Sequence, residues 1–174
     1  MTNDLELDNL APTLKERALD LGPRLIRLGA TIGVAESLTG GLVSTILTYV
    51  PGSSAFFLGG VTAYANLAKE LVLKVDPIIL KTHGAVSSQT AVAMAKGIKN
   101  LLGADIGLAT TGIAGPDGGT PNKPVGLYYV AALDKNQEIC LKMISPGSRH
   151  QVTRAATLAA LNLLEELINS PILA

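Results

Sequence analysis

Cysteine, aromatic residues and net charge are all scarce in this 174-residue chain. Cys140 is its only cysteine, and tryptophan is absent. One cysteine excludes an internal disulfide and a cysteine-based zinc site, as expected of a reducing compartment. Cys140 itself reads as a buried strand residue. His83 and His150 lie in unlike contexts with no carboxylate cluster beside them, so neither a metal nor a cofactor is expected. Lys plus Arg (14) balance Asp plus Glu (14), which leaves no overall field to draw the chain to nucleic acid or an anionic membrane. Charged residues make up only 16% and hydrophobic ones 48%, which excludes a disordered chain and predicts elements buried on both faces. The stretch from Ser37 to Ala68 has no charged residue, yet Pro51-Gly52-Ser53-Ser54 breaks it into pieces shorter than the ~20 residues a membrane span needs. The acidic start MTNDLELDNL lacks the basic-then-apolar pattern of a secretory signal. A cytoplasmic location is therefore expected, with residues 1–10 flexible.

What is present is a regular alternation. Leu14, Ala18, Leu21, Leu25 and Ile26 recur at three-to-four spacing, predicting an amphipathic helix from Ala11 to Leu28 that stops at Gly29. Short apolar runs at 30–35, 56–63 and 106–110 read as buried strands, and 127–133 with 138–144 as a hairpin around Asp134-Lys135-Asn136-Gln137. Helical spacing covers 39–50 and 66–74. A further helix runs from a Ser87 cap to Leu101 before Gly103, and the last from about Ser148 to Ile168. This order predicts one α/β domain over 1–174. It would have three layers, α/β/α, around a mostly parallel five-stranded sheet with one antiparallel strand. In such sheets ligands bind beyond the carboxyl ends of the strands. Three loops fall there: 36–41, 64–69 and 111–115.

Each loop carries a residue that can do chemistry. Ser37, in AESLTGG, lies between a strand and a Gly-rich helix start. Its hydroxyl can face a cleft while N–H groups near Thr39, Gly40 and Gly41 hold an oxyanion or a phosphate, or it can simply cap the helix. The flanking Ala35 and Thr39 rule out the G-x-S-x-G elbow. Lys69, in TAYANLAK, follows Ala68 on an apolar face. Desolvation there would lower its pKa and free the amine to take a proton, whereas a solvated lysine would do neither. Asn66 is a candidate substrate contact; the plainer readings are a cap of the following helix for Asn66 and a packing residue with a satisfied hydroxyl for Tyr64. Thr111-Gly112-Ile113-Ala114-Gly115 is a backbone-rich turn that can wrap a phosphate or ribose, though it is neither a Walker A loop nor a G-x-G-x-x-G fingerprint. Arg149 opens the last helix, where the dipole disfavours a cation unless an anion is near. Arg154 lies five residues on, roughly 140° around the helix.

Taken together, AESLTGG (35–41), VPGSSAFF (50–57), TAYANLAK (62–69), HGAVS (83–87), TGIAGPDGGTPNKPVG (111–126) and the SR…R start of the last helix resemble the CinA C-terminal domain family. The match runs from about Thr31 to Leu167. The resemblance implies hydrolysis of the carboxamide of nicotinamide mononucleotide to nicotinate mononucleotide and ammonia, a pyridine-nucleotide salvage step. It implies a serine nucleophile with tyrosine and lysine partners, here Ser37, Tyr64 and Lys69. Thr111 and Arg149 would hold the nucleotide, with Arg154 or Lys123 as the next candidate for the phosphate. Larger members carry a further N-terminal pyrophosphatase domain, for which these residues leave no room. Two positions depart from the family pattern: Leu38 stands where cysteine is common after the nucleophile, and Ser148 where aspartate is common before the arginine. Two rivals share the same loops, a nucleotide-binding module without turnover and an amidase for another small amide. Low charge and Ala-rich helices also point to a homo-oligomer.

Overall fold

A computed structural model describes residues 12–169, so the expectation for residues 1–10 lies outside the described residues. The first helix, α1 (Pro12–Leu28), is followed by β1 (Ile32–Glu36), α2 (Leu42–Thr48), a 3-10 turn at Ser53–Ala55, and β2 (Phe57–Thr62). Then come α3 (Asn66–Leu71), α4 (Pro77–His83), α5 (Ser88–Leu102), β3 (Ile106–Gly112), β4 (Leu127–Leu133), β5 (Glu138–Ile144) and α6 (Arg149–Asn169). The five strands form one sheet in the order β2-β1-β3-β4-β5. β1 pairs in parallel with β2 and β3, while β4 is antiparallel to both of its neighbours. Four strands therefore run one way and β4 alone runs against them, as the sequence predicts.

Helices cover both faces of the sheet. On one side α1, α2 and α6 bury Leu21, Leu25, Ile46, Leu47, Leu161 and Leu164 against Ile32, Val34, Leu108 and Val130. On the other, α5 lays Ala91, Met94, Ala95 and Ile98 over Ala35, Ala109 and Ala131. Each fully buried leucine on the first face contributes roughly 1.5–3 kcal/mol. The second face is built from small side chains, which lets the layers approach closely. A Cβ on Gly107 would lie 2.1 Å from the carbonyl oxygen of Ala95, so any larger residue there would push α5 off the sheet.

Boundaries follow local chemistry. The Ser87 hydroxyl accepts the Thr90 N–H at 3.1 Å to open α5, and Gly103 closes it in the left-handed conformation. α3 ends at Leu71 rather than Lys74, because Lys74 takes a positive φ of 56° and cannot extend a helix. The sequence reading passes over α4, although Asp76 accepts the Ile78 N–H at 2.8 Å and Pro77 occupies the first turn. Only seven residues long, α4 offers too little periodicity to register.

Candidate active site

The carboxyl ends of β1 and β3, the segment after β2 and the start of α6 meet around a cavity of about 190 Å³. Ser37, Leu38, Tyr64, Lys69, Ala85, Val86, Thr111, Gly112, Ala114 and Arg149 line it. A larger groove of about 450 Å³ between the segment that follows α3, α4 and α5 contains none of the site residues singled out from the sequence.

Ser37 follows directly on β1, its N–H donating to the Thr110 carbonyl at 3.0 Å. Lys69 points inward from α3 and is only 1% exposed. Its Nζ donates to the carbonyls of Ala63 at 2.8 Å and Tyr64 at 3.0 Å, and to Ser37 Oγ at 3.3 Å. Burial pushes its pKa down from the usual 10.5 to about 8. A neutral amine has two hydrogens and one lone pair. The two carbonyls take the hydrogens, and the lone pair is left facing the serine hydroxyl.

Tyr64 and Arg149 frame the mouth. Arg149 donates to the Gly115 carbonyl at 2.9 Å and to the Tyr64 hydroxyl at 2.7 Å. Two of its five N–H groups are thereby used, leaving three for a ligand. Tyr64 thus addresses the arginine, while Lys69 addresses the serine. Ser148 and Gln151 form a capping box for α6, with Ser148 N–H donating to Gln151 Oε1 at 2.7 Å and Gln151 N–H to Ser148 Oγ at 3.4 Å. Ser148 therefore caps the helix, and Arg149 takes its orientation from Gly115 and Tyr64. The Thr111 hydroxyl donates to the Ala85 carbonyl at 2.7 Å, which draws Ala85 and Val86 to the cavity wall. Lys123 Nζ donates to the His83 carbonyl at 2.6 Å and ties the long loop to the same segment.

The structure corrects one part of the sequence reading. The N–H groups of Gly40 and Gly41 are not open to a ligand: Gly40 donates to the Ser37 carbonyl at 3.2 Å and Gly41 to Glu36 Oε2 at 2.9 Å. Glu36, fully buried, also accepts from Val43 and Ser44, so a carboxylate of the chain itself occupies the positive end of α2. Thr39 turns its hydroxyl to Thr110 Oγ1 at 2.7 Å instead of into the cavity. Asn66 is exposed and caps nothing, Ala65 being the residue before α3. Arg154, Ile113 and Gly115 lie outside the lining, although Gly115 presents its carbonyl to Arg149. Sequence reasoning missed Glu36, Ala85 and Val86. The last two stand in the HGAVS segment, where their small apolar side chains follow a glycine.

Among the described residues no group of three His, Cys, Asp or Glu side chains could hold a metal ion, and no helix is long and apolar enough to cross a membrane. Comparison with known proteins converges on one family. The model for the CinA C-terminal domain matches residues 14–168. A protein of Desulforudis audaxviator described as competence-damage inducible is 50% identical over 86% of this chain, and a CinA-like protein of Salinibacter ruber is 44% identical over 90% of it. The chain spans 36% and 40% of the length of those two relatives. The crystal structure of a competence/damage inducible protein from Agrobacterium tumefaciens superposes with a TM-score of 0.87 at 38% identity, covering 89% of this chain and 95% of that one. With nearly its whole described length matched in sequence and in fold, this chain belongs to the CinA C-terminal domain family.

Proposed function

We propose that the chain hydrolyses the carboxamide of nicotinamide mononucleotide through Ser37. The observation that carries this reading is the buried amine of Lys69, 3.3 Å from a serine hydroxyl in a cavity whose mouth holds an arginine. Fold alone would not specify an activity. Neutral Lys69 takes the hydroxyl proton as Ser37 Oγ attacks the carboxamide carbon. The C–N bond then breaks, ammonia leaves with that proton, and water hydrolyses the acyl-enzyme to nicotinate mononucleotide. Oxyanion donors are the N–H groups of Leu38 and Ala114. Both residues line the cavity, and neither N–H has a protein partner among the described residues. The apolar walls at Leu38, Ala85, Val86 and Ala114 suit a flat ring. Ammonia release, with mass-spectrometric detection of nicotinate mononucleotide, tests the reading and separates it from a nucleotide-binding module without turnover.

Arg149 supplies the preference for a phosphate-bearing substrate. Its three spare N–H groups stand at the exposed mouth, where the remainder of the nucleotide has to lie. Arg149→Ala is expected to lower kcat/KM for the mononucleotide roughly 10- to 150-fold, the equivalent of one charge-assisted contact, while leaving the riboside almost unchanged. Equal losses for both substrates would remove the phosphate role and point to Lys123 or Arg154.

Self-association is a second expectation. Leu67, Leu71 and Ile78 on α3 and α4 are each more than 60% exposed, an apolar surface that a monomer would leave in water. Light scattering is expected to report at least a dimer, and a monomer at micromolar concentration would refute it.

A further inference from the structure

Glu36 is fully buried, and no ion pair reaches it among the described residues. A carboxylate removed from water without a counter-ion has to be satisfied by hydrogen bonds. Oε2 accepts from the N–H of Gly41 at 2.9 Å and of Val43 at 3.1 Å. Oε1 accepts from Ser44 N–H at 2.8 Å and Ser44 Oγ at 2.6 Å. The backbone of the same residue is fixed in the middle of the sheet, paired with Thr62 on one side and Thr110 on the other. One residue therefore anchors both ends of the turn that carries Ser37: its backbone holds the strand end, and its side chain holds the start of α2. The clamp needs space on β2. A Cβ at Gly60 would fall 2.1 Å from Ser44 Oγ, so only glycine there lets the Ser44 hydroxyl reach the carboxylate.

We propose that Glu36 is a positioning residue, one that with Ser44 and Gly60 fixes Ser37 Oγ against the amine of Lys69. The inference rests on Ser37 being the nucleophile. Glutamine in place of Glu36 keeps the shape, but whichever way the amide faces its NH2 meets at least one backbone N–H, of Ser44 or of Gly41 and Val43, so the turn has to shift. A displacement of about 1 Å between reacting groups costs roughly 100-fold in rate.

The test measures acylation-type labelling of Ser37 in the full chain by a fluorophosphonate probe, mapped by peptide mass, alongside binding of nicotinamide mononucleotide. Glu36→Gln is expected to label about 100-fold more slowly than the parent while nucleotide affinity stays within a few-fold, a split that general destabilisation would not produce. Ser44→Ala and Gly60→Ala should each slow labelling by less. Gly60→Ala should add far less in the Ser44→Ala background than in the parent, because the hydroxyl it displaces is already gone and only the 3.1 Å approach to the Cβ of residue 44 remains. If the parent is not labelled at Ser37, the serine reading fails and this inference fails with it. If the parent is labelled, and Glu36→Gln and Gly60→Ala match its rate, Glu36 alone loses its role. Should Glu36→Gln not fold, the Ser44 and Gly60 pair decides, and additive losses or none would overturn the proposal.

Discussion

Ser37→Ala is expected to abolish ammonia release while leaving the fold and nucleotide binding intact. The turn does not depend on the hydroxyl. Ser37 is held through its backbone, by its N–H on the Thr110 carbonyl and by its own carbonyl accepting from Gly40, and neither bond involves Oγ. Alanine removes only the acceptor of the 3.3 Å hydrogen bond from Lys69, and Lys69 keeps its two backbone carbonyls. Arg149, Thr111 and the apolar wall remain, so binding free energy should change little. Chemistry, by contrast, loses the atom that forms the acyl-enzyme, and nucleophile deletions of this kind cost roughly 10³–10⁶ in kcat. Calorimetric titration with the mononucleotide should therefore give a near-parental Kd from a protein that releases no ammonia. Turnover within tenfold of the parent would rule out covalent catalysis by Ser37.

The layers of the fold were legible because they obey simple periods. Three-to-four spacing in α1 and continuous apolar runs in β1 and β3 each record burial directly, the Ser87 cap and Gly103 stop bound α5, and the Asp134 turn marks the hairpin. Topology followed, since consecutive β-α-β units leave few arrangements for a sheet. What stayed hidden was proximity across distance in sequence. Glu36 reaches forward five to eight residues to the start of α2, farther than a local capping box, so nothing in AESLTGG distinguishes it from a solvated acid. That one side chain is why the Gly41 N–H, free by position alone, serves the fold instead, while the Gly40 N–H turns back to the Ser37 carbonyl. Arg154 illustrates the converse: the sequence offers it as a further cation for the phosphate, but five residues on and roughly 140° around α6 from Arg149 it lies outside the cavity lining. Lys69 could be placed near Ser37 by family resemblance, whereas its near-complete burial depends on how α3 docks, which no local pattern encodes.

Lys69→Met should lower kcat by roughly 10²–10⁴, the usual worth of a positioned general base, and alter nucleotide affinity far less. The substitution keeps the length of an apolar stem while removing the amine that faces Ser37 Oγ. With a pKa of about 8, Lys69 in the parent is neutral in roughly a tenth of molecules at pH 7, so kcat should climb as pH rises through 8 and then level off. The methionine variant should lack that limb. Stability offers an independent check of the same pKa. The folded value lies below the ordinary 10.5, so between pH 8 and 10.5 the unfolded chain binds the extra proton. Stability of the parent must therefore rise with pH across this window; below pH 8 both states are protonated, and the fold carries the whole cost of the buried charge. The shift corresponds to about 3 kcal/mol as an upper figure. Methionine removes that cost but leaves the Ala63 and Tyr64 carbonyls without their donor, so its absolute stability at pH 7 is set by two opposing effects. The pH dependence is not. Urea denaturation at pH 7.5 and pH 10 should show the parent gaining on the variant by up to about 3 kcal/mol. A parent whose kcat is flat from pH 7 to 9 and whose stability tracks that of Lys69→Met would carry a lysine already charged throughout, and such a group could not take the proton from Ser37.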